Sequence, residues 1–127
     1  ALMAYVFFFI GALFAGMSVA LGAYGAHSTG LDEVQALWID KGARYQMYHG
    51  LALLVTALAL SNKRKFSLLL NLSGLCFTAG TFLFSGSLYA MTFLPFDAGY
   101  ITPAGGFCFL VGWLLLALSG PGSSSRR

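Results

Sequence analysis

Long apolar stretches alternate with short polar segments along the whole chain. The first stretch covers residues 2–25 without a charged side chain, which corresponds to roughly 36 Å of helix at about 1.5 Å per residue. The hydrocarbon core of a bilayer is about 30 Å thick and needs about 20 apolar residues. The pattern therefore predicts membrane-spanning helices over residues 2–25, 66–93 and 101–118.

A fourth apolar stretch, residues 45–60, is too short by itself. It reaches only about 24 Å as a helix. We therefore expect this helix to begin near Trp38 and to span residues 38–60, with Asp40 and Arg44 at the interface. These two residues are four apart, a spacing that allows an ion pair across one helical turn.

The segment before this span has its own periodicity. Leu31, Val34, Leu37 and Trp38 recur at helical spacing, and acidic and amide residues stand between them. This predicts a short amphipathic helix that lies on the membrane or stacks on the second span.

The predicted fold is thus an all-α integral membrane protein, with four transmembrane helices in an antiparallel bundle. Residues 1–120 would form one domain, and residues 121–127 a flexible cytoplasmic tail.

Composition places the chain in the membrane class. It has 127 residues, of which 58% are hydrophobic and 9% charged, whereas soluble domains carry about 25% charge. The lipid bilayer is the expected partner. The basic residues form no stripe with interleaved aromatic residues, so nucleic acid is not expected. No cofactor is predicted.

The basic residues are distributed unevenly between the two predicted faces. One face has Lys63, Arg64, Lys65, Arg126 and Arg127, and the other has Lys41 and Arg44. Short loops rich in Lys and Arg stay in the cytoplasm. Both termini are therefore predicted to be cytoplasmic.

Polar residues concentrate at the opposite, outer ends of the predicted spans. The candidate cluster is His27, Tyr45, Gln46, His49, Ser85 and Tyr89. Such groups need partners inside a membrane, so we expect a hydrogen-bond network that ties three helix ends together. A haem or metal site on the two histidines is the alternative. No third ligand has suitable spacing, so no metal site is predicted.

Small residues are the candidates for helix packing. Gly16 and Gly22 lie in rows of small residues on the first span, and Gly105 and Gly106 follow a predicted Thr102 cap at the start of the fourth.

The third span carries a polar row, which is Asn71, Thr78, Thr81, Ser85, Tyr89 and Thr92. It could form a solute pathway, but the spans contain no carboxylate that could exchange a proton. Interhelical or same-helix hydrogen bonds are the favoured interpretation.

Four motifs carry a family resemblance. "GAYGAHS", "YQMYHGLALL", "LFSGSLYA" and "ITPAGGFCFLVGWLLLAL" occur in this order. With them the chain resembles domain-of-unknown-function family 423, whose eukaryotic relatives are called transmembrane protein 256. The likeness is greatest to the proteobacterial inner-membrane members. The resemblance implies a four-helix protein of the bacterial plasma (inner) membrane and supplies no molecular activity.

Known catalytic motifs do not appear in the chain, so an enzyme is not expected. The favoured function is that of a structural or interaction protein, with the outer polar cluster and the amphipathic segment as its recognition surface. A protein partner or a second copy of the chain, in a homo-oligomer, is the candidate partner beside the bilayer. The alternative is a small-solute or ion carrier that acts as an oligomer, and the third hypothesis is a haem- or metal-binding membrane protein.

Overall fold

A computed structural model describes residues 2–62 and 66–120, which form four helices and no strand. The helices are α1 (Leu2–His27), α2 (Glu33–Ser61), α3 (Ser67–Phe93) and α4 (Ile101–Ser119). Within these residues α1, α3 and α4 are long and apolar enough to cross a membrane. The regular secondary structure of the described residues is therefore all helical, as predicted. The predicted tail over 121–127 and the basic residues 63–65 lie outside the described residues.

The segment predicted as a separate amphipathic helix is instead the beginning of α2, so that prediction was wrong. The carboxylate of Asp32 accepts a hydrogen bond from the Gln35 backbone N–H, and the Gln35 side chain accepts one from the Asp32 N–H. This reciprocal cap satisfies N–H groups that a helix start leaves free. Because no break follows it, α2 runs unbroken to Ser61.

The central pair of helices is α2 and α3. α1 packs mainly on α2, α4 packs mainly on α3, and α1 touches α3 only slightly. The buried apolar cluster joins the first three helices through Phe7, Phe14, Ala52, Leu53, Ala57 and Phe77. Most other large apolar side chains of α1 and α4 are exposed, as lipid-facing residues would be.

α1 and α2 approach most closely at two facing glycines. A Cβ added to Gly11 would lie 2.7 Å from the Gly50 carbonyl oxygen, and one added to Gly50 would lie 2.8 Å from the Gly11 oxygen. Gly16 has no atom within 4 Å of such a Cβ, and Gly22 has only Ala43 at 3.9 Å. The prediction for Gly16 was therefore wrong, because the buried face of α1 follows Gly11, Phe14 and Ser18, and Gly22 continues that face towards Ala43 of α2.

Glycines also bring α3 and α4 together. Gly105 lies against the backbone of Phe84, whereas the adjacent Gly106 faces open space. Consecutive residues of a helix point about 100° apart, so only one of the two can face α3. The prediction for Gly106 was wrong for this reason. Gly80 and Gly112 accommodate the rings of Phe109 and Phe77.

Candidate functional site

Gln46 is the residue that links three helices. Its side chain is 2% exposed. The amide nitrogen donates to the carbonyl oxygen of Phe14 on α1 at 2.8 Å, and the amide oxygen accepts from the Tyr89 hydroxyl on α3 at 2.7 Å. Both ends of the amide are thus satisfied by neighbouring helices, which is what a buried polar group requires.

Two further hydrogen bonds tie α2 to α3 beside Gln46. The Ser85 hydroxyl donates to the Gly42 carbonyl oxygen at 2.7 Å, and the Gln35 amide donates to the Thr92 carbonyl oxygen at 3.1 Å. Gly42 also makes room for the ring of Tyr89, whose Cε1 lies 2.6 Å from where a Cβ would stand. The start of α2 is therefore fastened along its length to the end of α3.

His49 is buried, at 3% exposed, and both of its ring nitrogens have partners. Nδ1 lies 2.7 Å from the Tyr45 carbonyl oxygen, and Nε2 lies 3.0 Å from the indole nitrogen of Trp113. An indole N–H only donates, so Nε2 must be the acceptor and Nδ1 must carry the proton. The imidazole also stacks on Phe109, with ring centroids 3.5 Å apart. This arrangement fits a neutral histidine that serves as a joint between α2 and α4.

The side chains of two members of the predicted cluster take no part in these bonds. His27 is exposed at the end of α1 and makes no hydrogen bond within the described part of the chain. Tyr45 is half-buried, and its ring contacts Phe84 at a centroid distance of 4.9 Å. The structure thus joins Gln46 to Tyr89 and places Ser85 beside them on the Gly42 carbonyl.

Trp113 is the residue that sequence reasoning missed. It was counted as one more apolar position in α4, although its indole N–H needs a partner in a membrane. The polar N–H within an otherwise apolar run was the available signal.

The polar row of α3 divides into two kinds of hydroxyl. Thr78, Thr81 and Thr92 donate to carbonyl groups of their own helix. Ser85 and Tyr89 instead bond α2. Two serines of α3 outside the row bond α4: Ser73 donates to the Gly112 carbonyl oxygen at 2.9 Å, and Ser87 pairs with Thr102. Asn71 Oδ1 is a buried atom without a partner in the described residues.

The Ser87 contact also corrects the predicted Thr102 cap. Tyr100 occupies the N-cap position of α4 and makes no side-chain cap hydrogen bond. Thr102 lies inside the first turn of the helix, so its hydroxyl is free to bond α3 instead.

The arrangement of the two histidines and the acidic residues does not favour a metal centre. Among the residues that the structure describes, no group of three His, Cys, Asp or Glu side chains could hold a metal ion. Both ring nitrogens of His49 already have hydrogen-bond partners, and His27 is exposed at the end of α1.

An aromatic groove lies beside His49, between α2 and α4 and floored by α3. Its volume is about 670 Å³. The lining residues are Tyr45, Tyr48, His49, Phe84, Pro103, Gly106, Phe107, Phe109, Leu110 and Trp113. The wall is almost entirely apolar, and the hydrogen bond between Trp113 and His49 closes its inner end.

Comparison with known proteins places the chain in a family. Residues 21–106 match the family described as protein of unknown function DUF423. The chain belongs to the DUF423 family. The resemblance seen in the motifs is therefore confirmed.

Relatives of this DUF423 protein come from several bacteria. A UPF0382 membrane protein of Haemophilus influenzae is 46% identical over 102 residues, covering 78% of this chain and 80% of the relative. The UPF0382 inner membrane protein YgdD of Escherichia coli K12 is 44% identical over 102 residues, covering 77% and 76%. A third, UPF0382 membrane protein SAB0533 of Staphylococcus aureus, is 40% identical over 120 residues, covering 90% and 93%. No solved structure matches the chain significantly.

These names describe membrane or inner membrane proteins and state no activity. Together with the apolar helices, they make the chain a membrane protein of an uncharacterised family.

Proposed function

We propose that α2 is a fourth span and that the four helices run antiparallel. Contacts between α1 and α2 support this, because Phe14 meets Gln46 while the later residue Gly25 meets the earlier residue Ile39. The connections over 28–32 and 94–100 are also short, as they are between antiparallel neighbours. Residues 45–61 of α2 are uncharged, so the acidic first turns would project from the bilayer.

The proposed orientation places both termini in the cytoplasm of a bacterial inner membrane. Its support is the five-to-two distribution of basic residues in the sequence. The test uses single cysteines in a background with Cys76→Ala and Cys108→Ala. A cysteine at position 64 should resist an impermeant thiol reagent in intact cells, and one at position 97 should react. The reverse labelling would contradict the orientation.

Within this topology the function that fits best is that of a structural or interaction protein, not an enzyme or a carrier. The observation that carries this proposal is that the two buried members of the cluster on α2, Gln46 and His49, have a hydrogen-bond partner at every side-chain polar atom. A pathway for a solute would need polar atoms free to exchange partners. The cluster therefore supports a rigid scaffold, and recognition falls to another surface.

That surface is the projecting start of α2. Val34 and Leu37 are 53% and 54% exposed there. Asp32 and Glu33 precede them in the sequence and have no ion pair in the described residues, whereas Asp40, which follows, pairs with Arg44. Apolar contacts flanked by negative charge are complementary to a basic amphipathic segment of another membrane protein. We assign that class of partner to residues 32–40.

A photo-crosslinking residue at position 37 tests this assignment in native membranes. It should yield a discrete protein adduct, which Glu33→Gln should weaken because the partner is basic. The matched control is position 13 on α1, where Leu13 is similarly exposed at 50% but faces the lipid side of the helix.

The carrier alternative is tested in parallel with purified protein in liposomes. We expect no proton or small-ion flux above protein-free vesicles. Equal crosslinking at positions 13 and 37, or flux that depends on the protein, would refute the proposal.

A further inference from the structure

We propose that the aromatic groove holds one acyl chain of an anionic glycerophospholipid, with the lipid phosphate beside Lys41 and Arg44. This site is separate from the α2 surface assigned to a protein partner. It rests on four features of the groove: its dimensions, its charge, an unpaired hydroxyl and an open glycine.

The dimensions fit a lipid chain. A volume of about 670 Å³ lies within the usual range of small-molecule sites, roughly 300–1,000 Å³. Along α4 the groove runs from Pro103 to Trp113, ten residues that rise about 15 Å. Half of a hydrocarbon core is about 15 Å. A chain whose glycerol end lies near Pro103 would therefore follow the groove through most of that leaflet.

The charge at the end of the groove favours an anion. Lys41 is one turn before Tyr45 on the same face of α2 and is exposed. It has no ion pair within the described residues. Arg44, which stands beside it, bonds Asp40 at 2.9 Å but is 55% exposed. The three side chains together leave one positive charge, at the level where a phosphate would lie.

The third feature is the Tyr45 hydroxyl, an unpaired polar group one helical turn after Lys41. The Tyr45 hydroxyl makes no hydrogen bond within residues 2–62 and 66–120, although its ring is half-buried in an apolar wall. Its oxygen is not a buried atom, since Asn71 Oδ1 is the buried unpaired side-chain atom of the described residues, and it is therefore open to an incoming acceptor. It lies about 6 Å below Lys41 along the helix. A glycerol ester carbonyl occurs at that depth below a phosphate and would accept its hydrogen bond.

Gly106 leaves the α4 wall of the groove without a side chain at this position. It lines the groove, and no atom stands within 4 Å of a Cβ placed there. A side chain at this position would therefore fill the groove without disturbing the helix contacts. Its neighbour Gly105 faces α3 and could not be changed so freely.

A second copy of this chain is a poorer occupant. To fill the groove and neutralise Lys41 it would have to offer an apolar helix with an acidic side chain, but α1, α3 and α4 contain no Asp or Glu. The acidic start of α2 is the surface already assigned to the protein partner. A phospholipid supplies both the apolar chain and the anion.

Trp113 provides the test, because it is one of two tryptophans and forms the inner end of the groove. The variant Trp38→Phe leaves it as the only tryptophan, which is excited selectively over the six tyrosines. The protein is placed in vesicles with phosphatidylglycerol or phosphatidylcholine brominated on the acyl chain. At equal mole fraction, the anionic lipid should quench Trp113 more strongly. Lys41→Gln should reduce that preference about fivefold, since one basic residue near a membrane surface contributes about that factor.

Filling the groove is the second arm of the test. Gly106→Phe should reduce quenching by phosphatidylglycerol to the level of phosphatidylcholine. Gly16→Phe, at an equally open position on α1, should leave the preference intact. Equal quenching of Trp113 by both lipids in the Trp38→Phe protein would overturn the proposal by itself, before any groove variant is measured. A preference that survives Gly106→Phe, or a dimer in which Trp113 is shielded from both lipids, would also overturn it.

Discussion

The two ends of the helix assembly are held together in different ways. Around the first half of α2, cross-helix hydrogen bonds from Gln35, Gln46 and Ser85 connect the helices. Around its second half, Leu53 packs with Phe7 among apolar side chains, and both are almost completely buried. We refer to these as the polar end and the apolar end.

The difference shows how a membrane helix assembly obtains specificity. Lipid chains are as apolar as Leu or Phe, so burying an apolar side chain gives little hydrophobic gain, and close packing must provide the stability. A hydrogen bond at this depth has no water to replace it. The apolar end therefore depends on shape, and the polar end depends on a defined set of donor–acceptor pairs.

The largest effect is expected at the apolar end. Phe7→Ala removes a ring that is 1% exposed and that fits against Gly74. The resulting cavity should lower the free energy of unfolding by about 3 kcal/mol. Reversible unfolding in mixed micelles measures this change. Phe8→Ala, at a neighbouring residue that is 47% exposed, is the control and should be nearly neutral. Similar losses for both variants would mean that α1 does not pack as described.

The polar end is tested at Gln46. Gln46→Ala removes two cross-helix hydrogen bonds and leaves the Tyr89 hydroxyl without its acceptor. We expect a loss of about 2 kcal/mol, because each membrane hydrogen bond contributes about 0.6 kcal/mol and an unpaired buried group adds a penalty. Tyr89→Phe should cost less and should not add fully to Gln46→Ala in a double-mutant cycle. Full additivity would show that the two residues are not coupled.

The joint between α2 and α4 is expected to contribute somewhat less. His49→Ala should lower the free energy of unfolding by about 1–2 kcal/mol, since the Trp113 N–H loses its acceptor. Purified wild-type protein and the variant should carry the same, substoichiometric metal content by elemental analysis. Stoichiometric metal or haem that is released by His49→Ala would replace the structural role with a cofactor site.

The smallest effect is expected at Ser73, which makes a cross-helix hydrogen bond within the apolar end. Ser73→Ala removes the bond to the Gly112 carbonyl oxygen and should cost about 0.6 kcal/mol. Thr56→Val is the control, because its hydroxyl donates only to Ala52 of its own helix. If Thr56→Val cost as much as Ser73→Ala, cross-helix bonding would not be what distinguishes these hydroxyls.

The sequence by itself determined the helices closely. The predicted stretches 2–25, 66–93 and 101–118 lie near the bounds of Leu2–His27, Ser67–Phe93 and Ile101–Ser119, because an uncharged apolar run has no other stable form in lipid. The sequence also carried the family motifs and the pairing of Asp40 with Arg44, which needs only helical spacing and is present at 2.9 Å.

Which residues meet across helices was decided only by the tertiary structure. The rotation of each helix about its axis selects Gly11 over Gly16 and Gly105 over Gly106. The level along the helix axis makes Trp113 the partner of His49, because Gly11 faces Gly50 and His27 lies far beyond that level. A rotation of 100° per residue turns a neighbouring position to another face, and an apolar run surrounded by lipid contains little polar contrast that would reveal the rotation. Length and hydropathy therefore predicted the helices, and packing chose their contacts.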